Sequence, residues 1–189
     1  LAALLSWIMR GNVLASLIDN KSLPIVISGL SEGNQRASSA IVAALSAARG
    51  YTPQLLLPLL DDPKMPRGPI VSVLGAQKTK LSARDLLTRA YNQEPTEKAE
   101  LFRIISEIAD DSLVPELLSR LEGKDPIART HIINILARFN QRDVAAALQR
   151  QLKDTNKFVR QAVLNALAGF SGNVDVGLLC EVLRDPDVE

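Results

Sequence analysis

Apolar residues in this chain return at a fixed interval of 31 positions. At that spacing Leu55, Leu86, Leu117, Leu148 and Leu179 form one column, and Leu59, Ala90, Leu121, Leu152 and Leu183 form a second. Another column runs Leu74, Ile105, Leu136 and Leu167, and a basic one runs Arg67, Lys98, Arg129 and Arg160. A fixed period of roughly 20–50 residues marks a repeat architecture, in which no unit buries its apolar face without its neighbours.

Within each unit the pattern is helical. Val144, Ala145, Leu148 and Leu152 lie on the three-and-four spacing of an amphipathic helix, and Lys153-Asp154-Thr155-Asn156 interrupts it with turn-forming residues. A second helix is predicted over Phe158–Leu167, stopped by Gly169 and Gly172, with glycine expected to supply a left-handed cap. The unit is thus a helical hairpin. The same plan fits Ser112–Asn140, with Gly123, Asp125 and Pro126 in the turn and Ile127–Phe139 as second helix. It also fits Leu81–Tyr91 with Thr96–Ala109, and Pro53–Leu60 with Arg67–Gln77. Leu23–Leu30 and Gln35–Ala48 form a hairpin with a shorter turn, and residues 1–21 are expected to be a degenerate first repeat or a linker. In the second helices the columns 101/132/163, 104/135/166 and 105/136/167 predict the buried side. Residues 75–80 hold a lysine near a glycine without phosphate-loop spacing or a preceding strand, and predict a loop.

Composition narrows the class. The 189 residues are 47% hydrophobic but only 4% aromatic, so Leu, Ala, Ile and Val must build the core. Leu and Ala are strong helix formers, which suits helices packed on helices. The net charge is +1, split into +4 through residue 94 and −3 after it, which does not point to nucleic acid. Cys180 is the single cysteine and His131 the single histidine. Neither an intrachain disulfide nor a Cys-rich metal set can form, no metal or cofactor is expected, and Cys180 falls in a column with Leu56, Leu87, Leu118 and Gln149 that argues for a buried thiol. Trp7 is expected to pack at the start of the array. Leu1–Met9 is apolar but too short to span a bilayer, which needs roughly 20 residues. The chain opens on Leu1 and closes on Asp185-Pro186-Asp187-Val188-Glu189, so it is expected to be a fragment of a longer protein with its last repeat truncated. An apolar end exposed there would favour self-association.

The run Leu152-Lys153-Asp154 followed by Phe158-Val159-Arg160-Gln161-Ala162-Val163-Leu164-Asn165-Ala166-Leu167 resembles the HEAT-repeat signature, particularly its short bacterial variety. Leu183-Arg184-Asp185-Pro186-Asp187 is similar to the turn of a further repeat, and Leu121 with Arg129 and Leu59-Leu60-Asp61 with Arg67 match more loosely. The resemblance implies an all-α, right-handed, armadillo-like α-solenoid of about five to six hairpins over residues 1–189. It also implies a ladder in which Arg67, Lys98, Arg129 and Arg160 meet Asp61, Asp154 and Asp185, with Asn92 and Gly123 interrupting the acidic column. A cation opening a helix is disfavoured by the helix dipole, and carboxylates in the neighbouring turns would offset that cost.

Projection at about 100° per residue turns columns 99, 103 and 107 away from the buried side. By resemblance this face lines the concave surface: Gly68, Ser72 and Ala76, then Ala99, Arg103 and Glu107, then Thr130, Asn134 and Arg138, then Gln161, Asn165 and Gly169. The face is polar, with Arg103 and Arg138 as its cations and Asn134 and Asn165 at equivalent positions. His131 is expected at its margin. The candidate binding residues are Arg103, Glu107, Thr130, Asn134, Arg138, Gln161 and Asn165, and no catalytic residue is assigned. The expected function is a noncatalytic, cytoplasmic scaffold binding a protein or peptide. The alternatives are a bilin-lyase-like or DNA-glycosylase-like enzyme, or the cytoplasmic regulatory array of a membrane protein anchored through segments outside this chain.

Overall fold

The computed structural model describes residues 13–30, 35–170 and 177. The expectations for Leu1–Met9, Trp7, Gly172, Cys180, Asp185 and the truncated last repeat lie outside the described residues. The described chain is all-α, and its one extended pairing is an isolated bridge between Asp19 and Gly50. No described helix is long and apolar enough to cross a membrane. Two compact units divide the chain, Leu1–Ile108 and Ala109–Glu189.

The first unit holds α1 (residues 13–17), α2 (Leu23–Ser28) and α3 (Gln35–Ala47), then a 3-10 helix over Pro53–Asp61 and α4 (Arg67–Ala76). A 3-10 turn at Lys78–Lys80, α5 (Ala83–Ala90) and α6 (Pro95–Ile108) follow. Helix α4 packs between α3 and α6, and α5 lies against α6. Leu45, Leu74, Leu86, Leu87, Leu101, Ile104 and Ile105 are wholly buried. Each such side chain contributes about 1.5–3 kcal/mol relative to exposure. Helix starts are set locally: Ser82 accepts a hydrogen bond from the Asp85 backbone N–H, and Pro53 leads its helix where no N–H is needed.

Two expectations fail in this unit. The segment Pro53–Asp61 is a 3-10 helix, because Pro58 in its interior has no N–H to give and its ring crowds the carbonyl four residues back. The tighter coil turns about 120° per residue, so the leucine column slips: Leu55 is 48% exposed, while Leu56, Leu57 and Leu60 are buried. Residues 75–80 are not a loop either. Gly75 and Ala76 finish α4, and Lys78–Lys80 continue as a 3-10 turn.

The second unit opens with a 3-10 turn at Asp111–Leu113 and α7 (Val114–Ser119), then α8 (Pro126–Leu136) and α9 (Arg142–Arg150). A 3-10 turn at Gln151–Lys153 leads to α10 (Lys157–Leu167). The second helices α8 and α10 lie side by side, with α9 against α10 and α7 against both α8 and α9. Asp125 caps α8 by accepting from the Ile127 and Ala128 N–H groups, and Asn156 caps α10 through Phe158 and Val159. All nine residues of the three predicted core columns, across α6, α8 and α10, are buried. The left-handed cap does not form: α10 ends on Ala168 in right-handed geometry, and Gly169 donates to the Ala166 carbonyl without a positive φ.

Candidate interaction surface on the second helices

Three members of the basic column, Lys98, Arg129 and Arg160, are tied into the fold by different routes. Arg129 on α8 makes an ion pair with Asp154 in the turn before α10, and both side chains are mostly buried. Asp154 uses its other oxygen to accept from the Asn156 backbone N–H at 2.8 Å, which shapes the same turn. Arg160 is buried and donates from one nitrogen to the carbonyls of Asp154 and Thr155 at 2.8 and 3.2 Å. Lys98 is buried as well. The first rung differs from expectation. Asp61 faces Arg89 of α5, with 3.4 Å between Oδ2 and Nε, rather than Arg67. The first helix of the following hairpin, not the second helix of the same one, reaches that carboxylate. The rung expected at Asp185 lies outside the described residues.

The predicted face is exposed on each unit. In the first, Gly68, Ser72, Ala76, Ala99, Arg103 and Glu107 are all solvent-accessible. Between α4 and α6 four of them, Gly68, Ser72, Ala99 and Arg103, line a cleft of about 420 Å³ together with Val71, Thr96, Glu97 and Glu100. Gly68 and Ser72 keep one wall low, and Ser72 closes its own hydroxyl onto the Gly68 carbonyl. Arg103 is not a free cation. Its guanidinium bonds Glu100 twice, at 2.5 and 2.9 Å, and pairs with Glu107, which in turn holds Lys78. The Arg103 bond holds the Glu100 carboxyl below its ordinary range, and the Lys78 bond does the same for Glu107. The Glu100 bond in turn pushes Arg103 up. Glu100, at the 3-residue spacing from Arg103, was legible as a helical ion-pair partner. Lys78 was not, because it comes from a different element.

In the second unit Asn134 and Arg138 of α8 and Gln161 and Asn165 of α10 are exposed, with Thr130 half-buried and its hydroxyl donated to the Pro126 carbonyl. Since α8 and α10 pack together, these five form one polar surface. His131 is half-buried beside it, at the margin as expected.

Residues 114–189 match the family model for HEAT repeats. This segment is built of HEAT repeats. No curated protein and no solved structure matches the chain. HEAT repeats generally bind protein partners, and within the matched segment the second helices α8 and α10 carry the exposed polar surface.

Proposed function

We propose that this chain is a noncatalytic protein-interaction module that engages a protein or peptide through the outward face of its second helices. The observation that carries the reading is the exposed polar surface formed by Asn134, Arg138, Gln161 and Asn165 on paired helices of a HEAT segment. The cleft between α4 and α6 gives the first unit an exposed site of its own on the corresponding columns. Its Glu100 and Arg103 are tied to each other rather than gathered on a reacting centre, which suits recognition by shape and hydrogen bonds. On this reading the 31-residue period belongs to a right-handed solenoid, the second helices line its concave side, and the module works in the cytoplasm.

Arg103 is a poor probe of this idea, because Arg103→Glu would set three carboxylates together and disturb the fold. Better probes change surface alone. Affinity capture from the source lysate would compare the wild type with Ser72→Trp, which fills the cleft, and with Asn134→Glu/Arg138→Glu, each checked for unchanged helicity. A client purified from that capture and bound directly by the wild type but weakly by either variant supports the reading. Equal binding by all three forms removes the site from this face, and recovery of a pigment or nucleic acid in place of protein removes the protein-partner reading.

A further inference from the structure

Two large apolar side chains stand in solvent at one register position. Ile127 is 47% exposed and Phe158 is 62% exposed, and each is the second residue of its helix, α8 and α10. Isolated apolar residues on a surface need no explanation, but a contiguous apolar patch does. These two are neighbours because α8 and α10 pack together, which sets their axes about 8–10 Å apart. The Arg129–Asp154 ion pair ties the turn into α10 to the first turn of α8 and holds the two helix starts in register. The core does not use either side chain: Ala128, Ile132, Val159 and Val163 face inward from the same helices.

Three lysines flank the pair along the chain. Lys124 precedes α8, while Lys153 and Lys157 border the turn into α10, and all three are exposed. None forms an ion pair with a described residue. Lys157 Nζ stands 5.5 Å from the centre of the Phe158 ring, so cation and aromatic face share one spot. The carboxylates nearby are mostly committed: Asp125 caps α8 and Asp154 holds Arg129, leaving Glu122. The strip is apolar at its centre and positive at its rim.

We propose that this edge of the second unit docks an acidic peptide segment bearing two apolar residues about 9 Å apart, the spacing of positions i and i+3 along one face of a polyproline II segment. The apolar residues cover Ile127 and Phe158, and carboxylates between and beside them meet Lys124, Lys153 and Lys157. Ile127 and Phe158 stand seven residues before Asn134 and Asn165, so this edge continues the same helical stripe at its helix-start end, and the inference rests on the reading proposed above. Peptide binding lost in Ile127→Ser/Phe158→Ser but kept in Asn134→Glu/Arg138→Glu tells the two apart.

The test titrates the 189-residue chain into a fluorescein-labelled peptide, Asp-Leu-Glu-Asp-Phe-Asp-Glu, read by anisotropy at low salt. Saturable binding is expected, weakening as salt rises. It should weaken by about tenfold or more in Ile127→Ser/Phe158→Ser and in Lys124→Glu/Lys153→Glu/Lys157→Glu. Hydrogen exchange on the wild type should show peptide-dependent protection at residues 124–128 and 153–159, a readout that needs no variant to fold. No binding by the wild type overturns the proposal, as does equal binding of a peptide with lysine at every acidic position, or protection elsewhere. So does a Phe158→Ser change that merely turns a dimer into a monomer in sedimentation, which would assign the strip to a second copy. Binding to phosphatidylserine vesicles without binding to the peptide also overturns it.

Discussion

At the scale of single residues, small differences in surroundings reverse the effect of the same substitution. A Cβ on Gly50 would lie 2.5 Å from the Ile18 backbone carbonyl, where the Asp19–Gly50 bridge brings two segments together. One on Gly68, at the start of α4, would meet nothing within 4 Å. Gly50→Ala is therefore expected to cost about 1–3 kcal/mol, since backbone must move to admit the methyl. Gly68→Ala should gain about 0.5 kcal/mol by restricting the unfolded chain. Denaturant midpoints check both, and equal shifts would contradict the close approach at Gly50. Glu100 supplies a pH test. Its folded pKa is lowered by the Arg103 bond, so its stabilisation is present above the ordinary carboxylate value of about 4.3 and fades as pH falls through the lower folded value. Glu100→Gln should thus melt below the wild type at pH 7, and the two curves should meet in acid. The gap will be small because the pair is solvated. A gap that persists unchanged to low pH would show that charge is not its origin.

At the scale of elements, helix ends depend on side chains that come from elsewhere in the chain. The last carbonyls of α3 are satisfied by Gln77, whose buried amide donates to Leu45, Ser46 and Ala48 at 3.0, 3.0 and 2.8 Å. Tyr51 adds a hydrogen bond to Leu45 at 2.9 Å, and burial pushes its hydroxyl pKa up to about 12. Gln93 performs a similar service for the Leu60 carbonyl at 3.3 Å. The Gln77 side-chain oxygen has no partner, so the residue is held for its donor half alone. Gln77→Leu would orphan the Ser46 and Ala48 carbonyls but also remove that buried oxygen, for a net loss of about 1–2 kcal/mol. Amide exchange in the last turn of α3 should quicken in this variant. Unaltered exchange there would mean that water can replace the cap.

At the scale of the whole molecule, two units each hold a core of their own. Asp110 and Asp111, where the second unit begins, are exposed, and Asp110 accepts from the Ser112 N–H to start the 3-10 turn. Brief digestion with a protease cutting before aspartate should accumulate a fragment beginning at Asp110 or Asp111 that keeps its helical circular dichroism. Nearest-neighbour stabilisation of this kind is what repeat chains rely on. Immediate loss of helicity after that cut would show that the second unit lacks sufficient internal packing.

The sequence alone determined the hairpins, their turns and the buried columns of α6, α8 and α10, because a helix converts spacing in the chain directly into direction in space. It also determined which columns face away, since Arg103, Asn134 and Asn165 project from the same helices by the same rule. The tertiary structure decided who meets whom. Arg103 was legible as exposed but not as neutralised, because one of the groups that complete its network, Lys78, lies 25 residues upstream on another element. Asp61 met Arg89 rather than Arg67, Leu55 turned outward when Pro58 tightened its helix, and Gln77 found the end of α3. Periodicity reports the environment common to all repeats, whereas these contacts depend on what one particular neighbour places within reach.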